Sequence, residues 1–98
     1  MADFRLSVRA SADLLAIYEY TEATFGRSQA ERYHAGFENA FGLIARTPRM
    51  GTTADEIAPG FRRFRRGMHI IFYTIEPELV LIRAIVHGGQ DIRPALVE

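Results

Sequence analysis

The chain contains no cysteine, no tryptophan and no lysine. Without cysteine there is no disulfide framework and no thiolate chemistry. No apolar run approaches the roughly 20 residues that a membrane-spanning helix needs. The opening stretch MADFRLSVRA lacks the long apolar core of a secretory signal. A cytoplasmic location and no membrane contact are therefore expected. Three kinds of chemistry also lack their sequence setting. There is no H-x-x-x-H or similar ligand spacing, no Gly-rich phosphate loop leading into a helix, and no G-x-S-x-G. Neither a metal nor a cofactor is expected. The formal net charge is zero, which argues against bulk electrostatic attraction to nucleic acid, although a local basic face is compatible with it.

What is present fits one domain spanning residues 1–98. The hydrophobic content of 48% and charged content of 24% belong to an ordinary globular chain, long enough for a single core. All 12 basic residues are arginine. Arginine offers a planar fork of donors that pairs bidentately with carboxylates and phosphates and stacks on aromatic rings. Four of these arginines fall in the run FRRFRR, residues 61–66, which is the most unusual stretch of the sequence.

Hydrophobic periodicity orders the rest. Phe4 to Val8 alternates as a first strand. Ser11 is placed to cap a helix whose stripe is Leu14, Ile17, Tyr18, Thr21 and Phe25, and Gly26 suits its end. Ser28 and Glu31 form a capping-box pattern for a second helix with the stripe Ala30, Tyr33, Phe37, Ala40, Phe41 and Ile44, stopped by Pro48. A link of about three residues predicts an antiparallel helical hairpin. Residues 47–60 read as a loop from their Pro, Gly and Thr content. Three strands follow: Phe61–Arg66, then His69–Ile75, nearly all apolar and so expected to be central, then Leu79–His87. The predicted fold class is α+β: an N-terminal strand, an antiparallel helical hairpin and a three-stranded antiparallel meander. The helices cover one face of the sheet and leave the other open.

Strand alternation puts Arg62, Phe64 and Arg66 on one face, with Phe64 as the core residue. It puts Phe61, Arg63 and Arg65 on the other, outer face. The plain alternative for these arginines is surface pairing with Asp55, Glu56, Glu76 or Glu78, which is worth little. Arg83 interrupts an apolar strand and is expected to share a face with Leu79, Leu81 and Ile85. Of the three histidines, His34 falls on a helix surface and His69 begins a strand. His87 ends a strand four residues before Asp91, where an acid–base role is conceivable.

The whole chain resembles the ParE toxins of the ParE/RelE superfamily. The opening strand leads to a helix carrying Ala10, Asp13, Leu14, Ile17 and Tyr20. The second helix exits through Pro48 and Gly51. The block PGFRRFRRGMHIIFYTI has Gly60, Arg62, Gly67, Ile71, Phe72 and Tyr73 in place. The closing LVLIRAIVHGGQD has His87 and Asp91 in place. The resemblance implies the RelE/ParE-like fold and the toxin half of a type II toxin–antitoxin system serving plasmid or chromosome maintenance. It further implies a ParD-like ribbon-helix-helix antitoxin partner, contact with operator DNA only through that complex, and DNA gyrase as the target of a non-enzymatic inhibitor.

The antitoxin is expected to meet Phe61, Arg62, Arg63, Arg65, Arg66 and Met68, its acidic residues on the arginines and its apolar ones on Phe61 and Met68. Target contacts are expected at Arg83, His87 and Asp91. The sister RelE-like branch, which cleaves mRNA in the ribosome, supplies the alternative, for which His87, Arg62 and Arg83 are the catalytic candidates. Against it, GGQDIRP follows His87 where that branch carries basic residues. A plain nucleic-acid-binding module is a third reading, motivated by the arginine cluster alone.

Overall fold

Phe4–Leu6 (β1) is a three-residue strand that leads at once into the first helix, Val8–Phe25 (α1). This computed structural model describes residues 3–88. The second helix is Arg27–Arg46 (α2), followed by a short 3-10 turn at Pro48–Met50 and four more strands: Thr52–Thr53 (β2), Phe61–Arg66 (β3), His69–Ile75 (β4) and Val80–His87 (β5). The five strands form one sheet in the order β1-β5-β4-β3-β2. β3, β4 and β5 are the expected antiparallel meander, and β4 is central. Two features go beyond the sequence reading, the first of which it left open. The N-terminal strand joins the far edge parallel to β5, and the loop after α2 contributes a two-residue strand beside β3.

The helix starts also move. Ser7, not Ser11, caps α1, its Oγ accepting from the backbone N–H of Ala10 at 3.0 Å. Leaving the sheet at Leu6, two residues earlier than expected, places the Ser7 hydroxyl against β5, where it donates to the Arg83 carbonyl at 3.0 Å. Between the helices only Gly26 remains, at φ 94°, a backbone angle that strongly favours glycine. Its carbonyl accepts from Ala30 N–H at 3.1 Å, so α2 begins at Arg27 and the Ser28–Glu31 capping box has no role at the helix start.

The helical stripes close over one face of the sheet. Leu14, Phe37, Phe41 and Ile44 meet Ile71, Tyr73, Ile82 and Ile85 in the main core, with Phe64 packed at its margin. Each such side chain contributes roughly 1.5–3 kcal/mol by leaving water. Asp13 on α1 ties this layer to the sheet: its carboxylate accepts from Ile85 N–H and from Arg9 Nε, both at 2.9 Å.

The outer face is not open as expected. Residues 54–60 fold back over it, and Ala54, Ile57 and Ala58 form a second core with Phe61, Phe72, Ala84 and Val86. A bulge in β5 explains the position of Arg83. Tyr73 pairs with Ile82 and Phe72 with Ala84, so Arg83 is the extra residue. The bulge separates Arg83 from Ile85 and lays its guanidinium over the Phe61 ring on the outer face, 5.2 Å from the centroid.

Candidate functional site

The four arginines of β3 go to four different places. Arg62 Nη2 donates to the carbonyls of Arg49, at 3.1 Å, and Gly51, at 2.6 Å, and so pins the turn after α2. Arg66 lies against α2, its guanidinium 5.6 Å from the Tyr33 ring and 5.7 Å from the Phe37 ring. Gly36 makes that approach possible, because a Cβ there would collide with the guanidinium. The Nε atoms of both Arg62 and Arg66 are buried without an acceptor among the described residues. Arg63, on the outer face, pairs with Glu56 and lies 5.7 Å from the Phe72 ring. Arg65 is the exposed member, donating from Nη1 to the Gly67 carbonyl at 3.2 Å. Arg62, Arg63 and Arg66 are thus built into the fold.

Phe61, expected as an apolar docking residue, is only 3% exposed beneath residues 54–60 and Arg83, so a partner cannot rest on it directly. The RNase candidates Arg62, Arg83 and His87 are not brought together. Arg62 reaches the turn after α2, Arg83 the outer face, and His87 the helix side. Asp91 lies outside the described residues.

The structure assembles a different site, between the tip of the helical hairpin and the β3–β4 turn. A groove of about 530 Å³ runs there, walled by Ile17, Tyr20 and Thr21 of α1, Tyr33 of α2, Met68 of the turn, and His69 and His87 at the sheet end. Its rim is apolar and open: Tyr20 is 67% exposed, Phe25 64% and Met68 62%. Large apolar side chains clustered at such exposure mark an interaction surface, whereas single ones do not. At the floor, Tyr33 Oη and His69 Nδ1 are 2.7 Å apart. The rings of His69 and His87, opposite each other in the β4–β5 pairing, meet edge to face with centroids 5.7 Å apart. Burial, and then the neighbouring His87, lower the pKa of His69. Burial raises that of Tyr33, partly opposed by the Arg66 guanidinium.

Sequence reasoning named Met68 but missed Tyr33, His69 and the Tyr20 and Phe25 part of the rim. Tyr33 and Phe25 have core spacing on their helices, and nothing local says that the hairpin tip overhangs the sheet. An apolar groove with a few polar points at its floor suits an apolar face of a protein segment. Among the described residues no three His, Asp or Glu side chains converge on a metal-sized site, and no helix is long and apolar enough to cross a membrane.

Comparison with known proteins bears on this geometry. The family model described as "ParE toxin of type II toxin-antitoxin system, parDE" matches residues 4–92. "Toxin ParE1" of Caulobacter vibrioides is 34% identical over 96 residues, covering 98% of this chain and 99% of the relative. "Toxin ParE1" of Mycobacterium tuberculosis (strain H37Rv) is 33% identical over 90 residues, 91% of this chain and 92% of the relative. "Toxin ParE" of Escherichia coli is 31% identical over 101 residues, 100% of this chain and 96% of the relative. A solved structure titled "Chromosomal ParDE TA system from P. aeruginosa" has the same fold, with a TM-score of 0.75 at 19% identity over 89% of this chain and 96% of that one.

Proposed function

This chain belongs to the ParE toxin family of type II toxin–antitoxin systems, and from that premise we propose that it inhibits DNA gyrase through protein–protein contacts and is neutralised by a ParD-like ribbon-helix-helix antitoxin. The observation that carries the antitoxin half is the open apolar groove rimmed by Tyr20, Phe25 and Met68. An amphipathic helix laid in a groove is a common way for one protein to hold another. Met68 and Arg65 stay in the antitoxin surface. Arg66 supports the groove from within the fold through Tyr33, whereas Arg62 serves the turn after α2 and Arg63 and Phe61 belong to the outer face, away from the groove. The target contacts assigned to Arg83 and His87 divide between the two faces of the sheet, so gyrase is taken to bear on the outer face at Arg83.

The non-enzymatic reading is supported by the fate of the arginines. A phosphate-transfer site needs cations aimed at one point, and all four β3 guanidiniums are turned instead to carbonyls, rings or Glu56. The test is inhibition of gyrase supercoiling of relaxed plasmid, relieved by the antitoxin. Undiminished supercoiling at a large toxin excess overturns the target.

One observation favours the RelE-type alternative. Tyr33, His69 and His87, with Arg66 beside Tyr33, supply an acid, a base and a cation within one groove. Codon-phased mRNA cuts after induction that vanish in His69→Ala and His87→Ala would establish that reading instead.

A further inference from the structure

His69 opens β4, the central strand, and so has a directly opposed neighbour on each side: Arg66 of β3 and His87 of β5. Opposed residues share a face of the sheet, and here it is the helix side. The Arg66 guanidinium lies 5.6 Å from the Tyr33 ring, and the His87 ring meets that of His69 with centroids 5.7 Å apart. From α2, Tyr33 Oη comes within 2.7 Å of His69 Nδ1, and the Phe37 ring meets the imidazole edge to face at 5.7 Å. From α1, the titratable group lining the groove is Tyr20, at its rim. Beyond His87, the Arg65 guanidinium lies against Gly88. Among the described residues no Asp or Glu lines the groove.

These neighbours favour one protonation state of His69. Burial raises the pKa of Tyr33, so its hydroxyl keeps the proton and donates to Nδ1. A neutral imidazole accepts that bond with its own proton on Nε2. A second proton on the ring would set donor against donor, and would add a charge between Arg66 and a second histidine. In the toxin alone the groove is open, and contact with water at its floor softens that penalty. A helix laid across Tyr20, Phe25 and Met68 excludes the water. The charged ring is then disfavoured more in the complex than in the free toxin.

We propose that His69 is a proton latch on this groove: the apolar face of an antitoxin helix is held while the imidazole is neutral and loosened when it is charged. The inference rests on the antitoxin reading above and adds a condition to it. A complex that takes up this proton less readily than the free toxin must expel it on forming. Affinity is therefore full above the ordinary histidine value of 6.5. It falls as pH drops through the free toxin's value, which burial and then His87 hold below 6.5. An acidic side chain at the floor would give the opposite sign, since a carboxylate favours the charged ring. The walls, with Ile17, Tyr20 and Met68, suit the apolar occupant.

The test titrates the full-length antitoxin from the adjacent reading frame into the toxin at about pH 7.5 and about pH 5.5, with circular dichroism checking that the toxin stays folded at both. The expected dissociation constant is about three- to tenfold larger at the lower pH, the range that one expelled proton allows. In His69→Gln that ratio should fall to about one. If the variant does not fold, an NMR titration of the His69 ring in the unaltered toxin decides. Its pKa should drop further on binding, and an unchanged value overturns the latch. A ratio near one in the unaltered protein, with binding that Phe25→Ala and Met68→Ala together weaken, overturns the latch and leaves the antitoxin in the groove. Tighter binding at the lower pH overturns it in favour of a carboxylate at the floor. A pH response that persists in His69→Gln assigns the proton to another group and overturns it as well. No complex at the higher pH overturns the antitoxin reading and this inference with it.

Discussion

The two faces of the sheet share the strand β3 and treat it in opposite ways. On the outer face, residues 54–60 close over Phe61, Phe72 and Ala84, and Arg63 and Arg83 lie across the rings as a lid. On the helix side the core is closed near Phe41 and Ile44 but opens toward the hairpin tip, where Tyr20, Phe25 and Met68 face water. The outer face satisfies itself from within one short loop. The helix side leaves apolar surface unused, which costs stability and is retained where a partner covers it.

The largest expected break in this contrast comes from Phe61→Ala. Emptying the centre of the outer cluster should destabilise the protein by about 3–5 kcal/mol, read as a lower denaturant midpoint with unchanged slope. The same truncation at Phe25, 64% exposed, should change stability by no more than about 0.5 kcal/mol. Its effect belongs to binding: Phe25→Ala and Met68→Ala together should weaken antitoxin affinity by about 2 kcal/mol in a calorimetric titration. Equal stability losses at Phe61 and Phe25 would mean that the two faces do not differ in kind.

A third effect sharpens the contrast through pH. The folded pKa of His69 lies below its ordinary 6.5, because burial and His87 disfavour its charged form. The unfolded chain therefore binds that proton more readily. The stability tied to a neutral His69 is complete above the ordinary value and is lost as pH falls through it toward the folded one. His69→Gln should flatten the stability–pH curve in that window by at most about 1.4 kcal/mol per pH unit. An unchanged slope would show that the groove floor is wetter than its geometry implies.

Much of this was legible in the chain. The helical hairpin, the meander and the central β4 follow from periodicity and turn residues, and the burial of Phe37, Phe41 and Ile44 follows from spacing. Three things were not legible, for physical reasons. Residues 54–60 have loop composition, yet Ala54, Ile57 and Ala58 are just enough to seal one face, so Phe61 moved from surface to core. The bulge at Arg83 shifts the β4–β5 register by one. Without it His69 would face Val86 and not His87, and no local pattern announces the bulge. The third is the ownership of the arginines. A guanidinium reaches far from its Cα, so FRRFRR predicts a basic segment without saying that Arg62 serves a turn and Arg66 a helix.

The smallest expected effect tests what holds the outer face closed. Arg63 pairs with Glu56 and also covers the Phe72 ring, and its side chain is 30% exposed against 62% for Glu56. An ion pair with one partner so open to water is worth about 0.2–1 kcal/mol. A guanidinium over a ring adds about 0.5–1 kcal/mol, and its methylenes shield apolar surface besides. Glu56→Gln removes only the charge pair, whereas Arg63→Ala removes the pair, the ring contact and the cover. Arg63→Ala should therefore cost more than Glu56→Gln in a denaturant titration. Added salt should erase the smaller loss and leave most of the larger, since screening acts on exposed charges and not on burial. If the two substitutions cost the same and both losses vanish in salt, the lid is held by charge alone. The outer face would then depend on the same exposed electrostatics that a partner could compete for, and the contrast between a closed face and an open one would weaken.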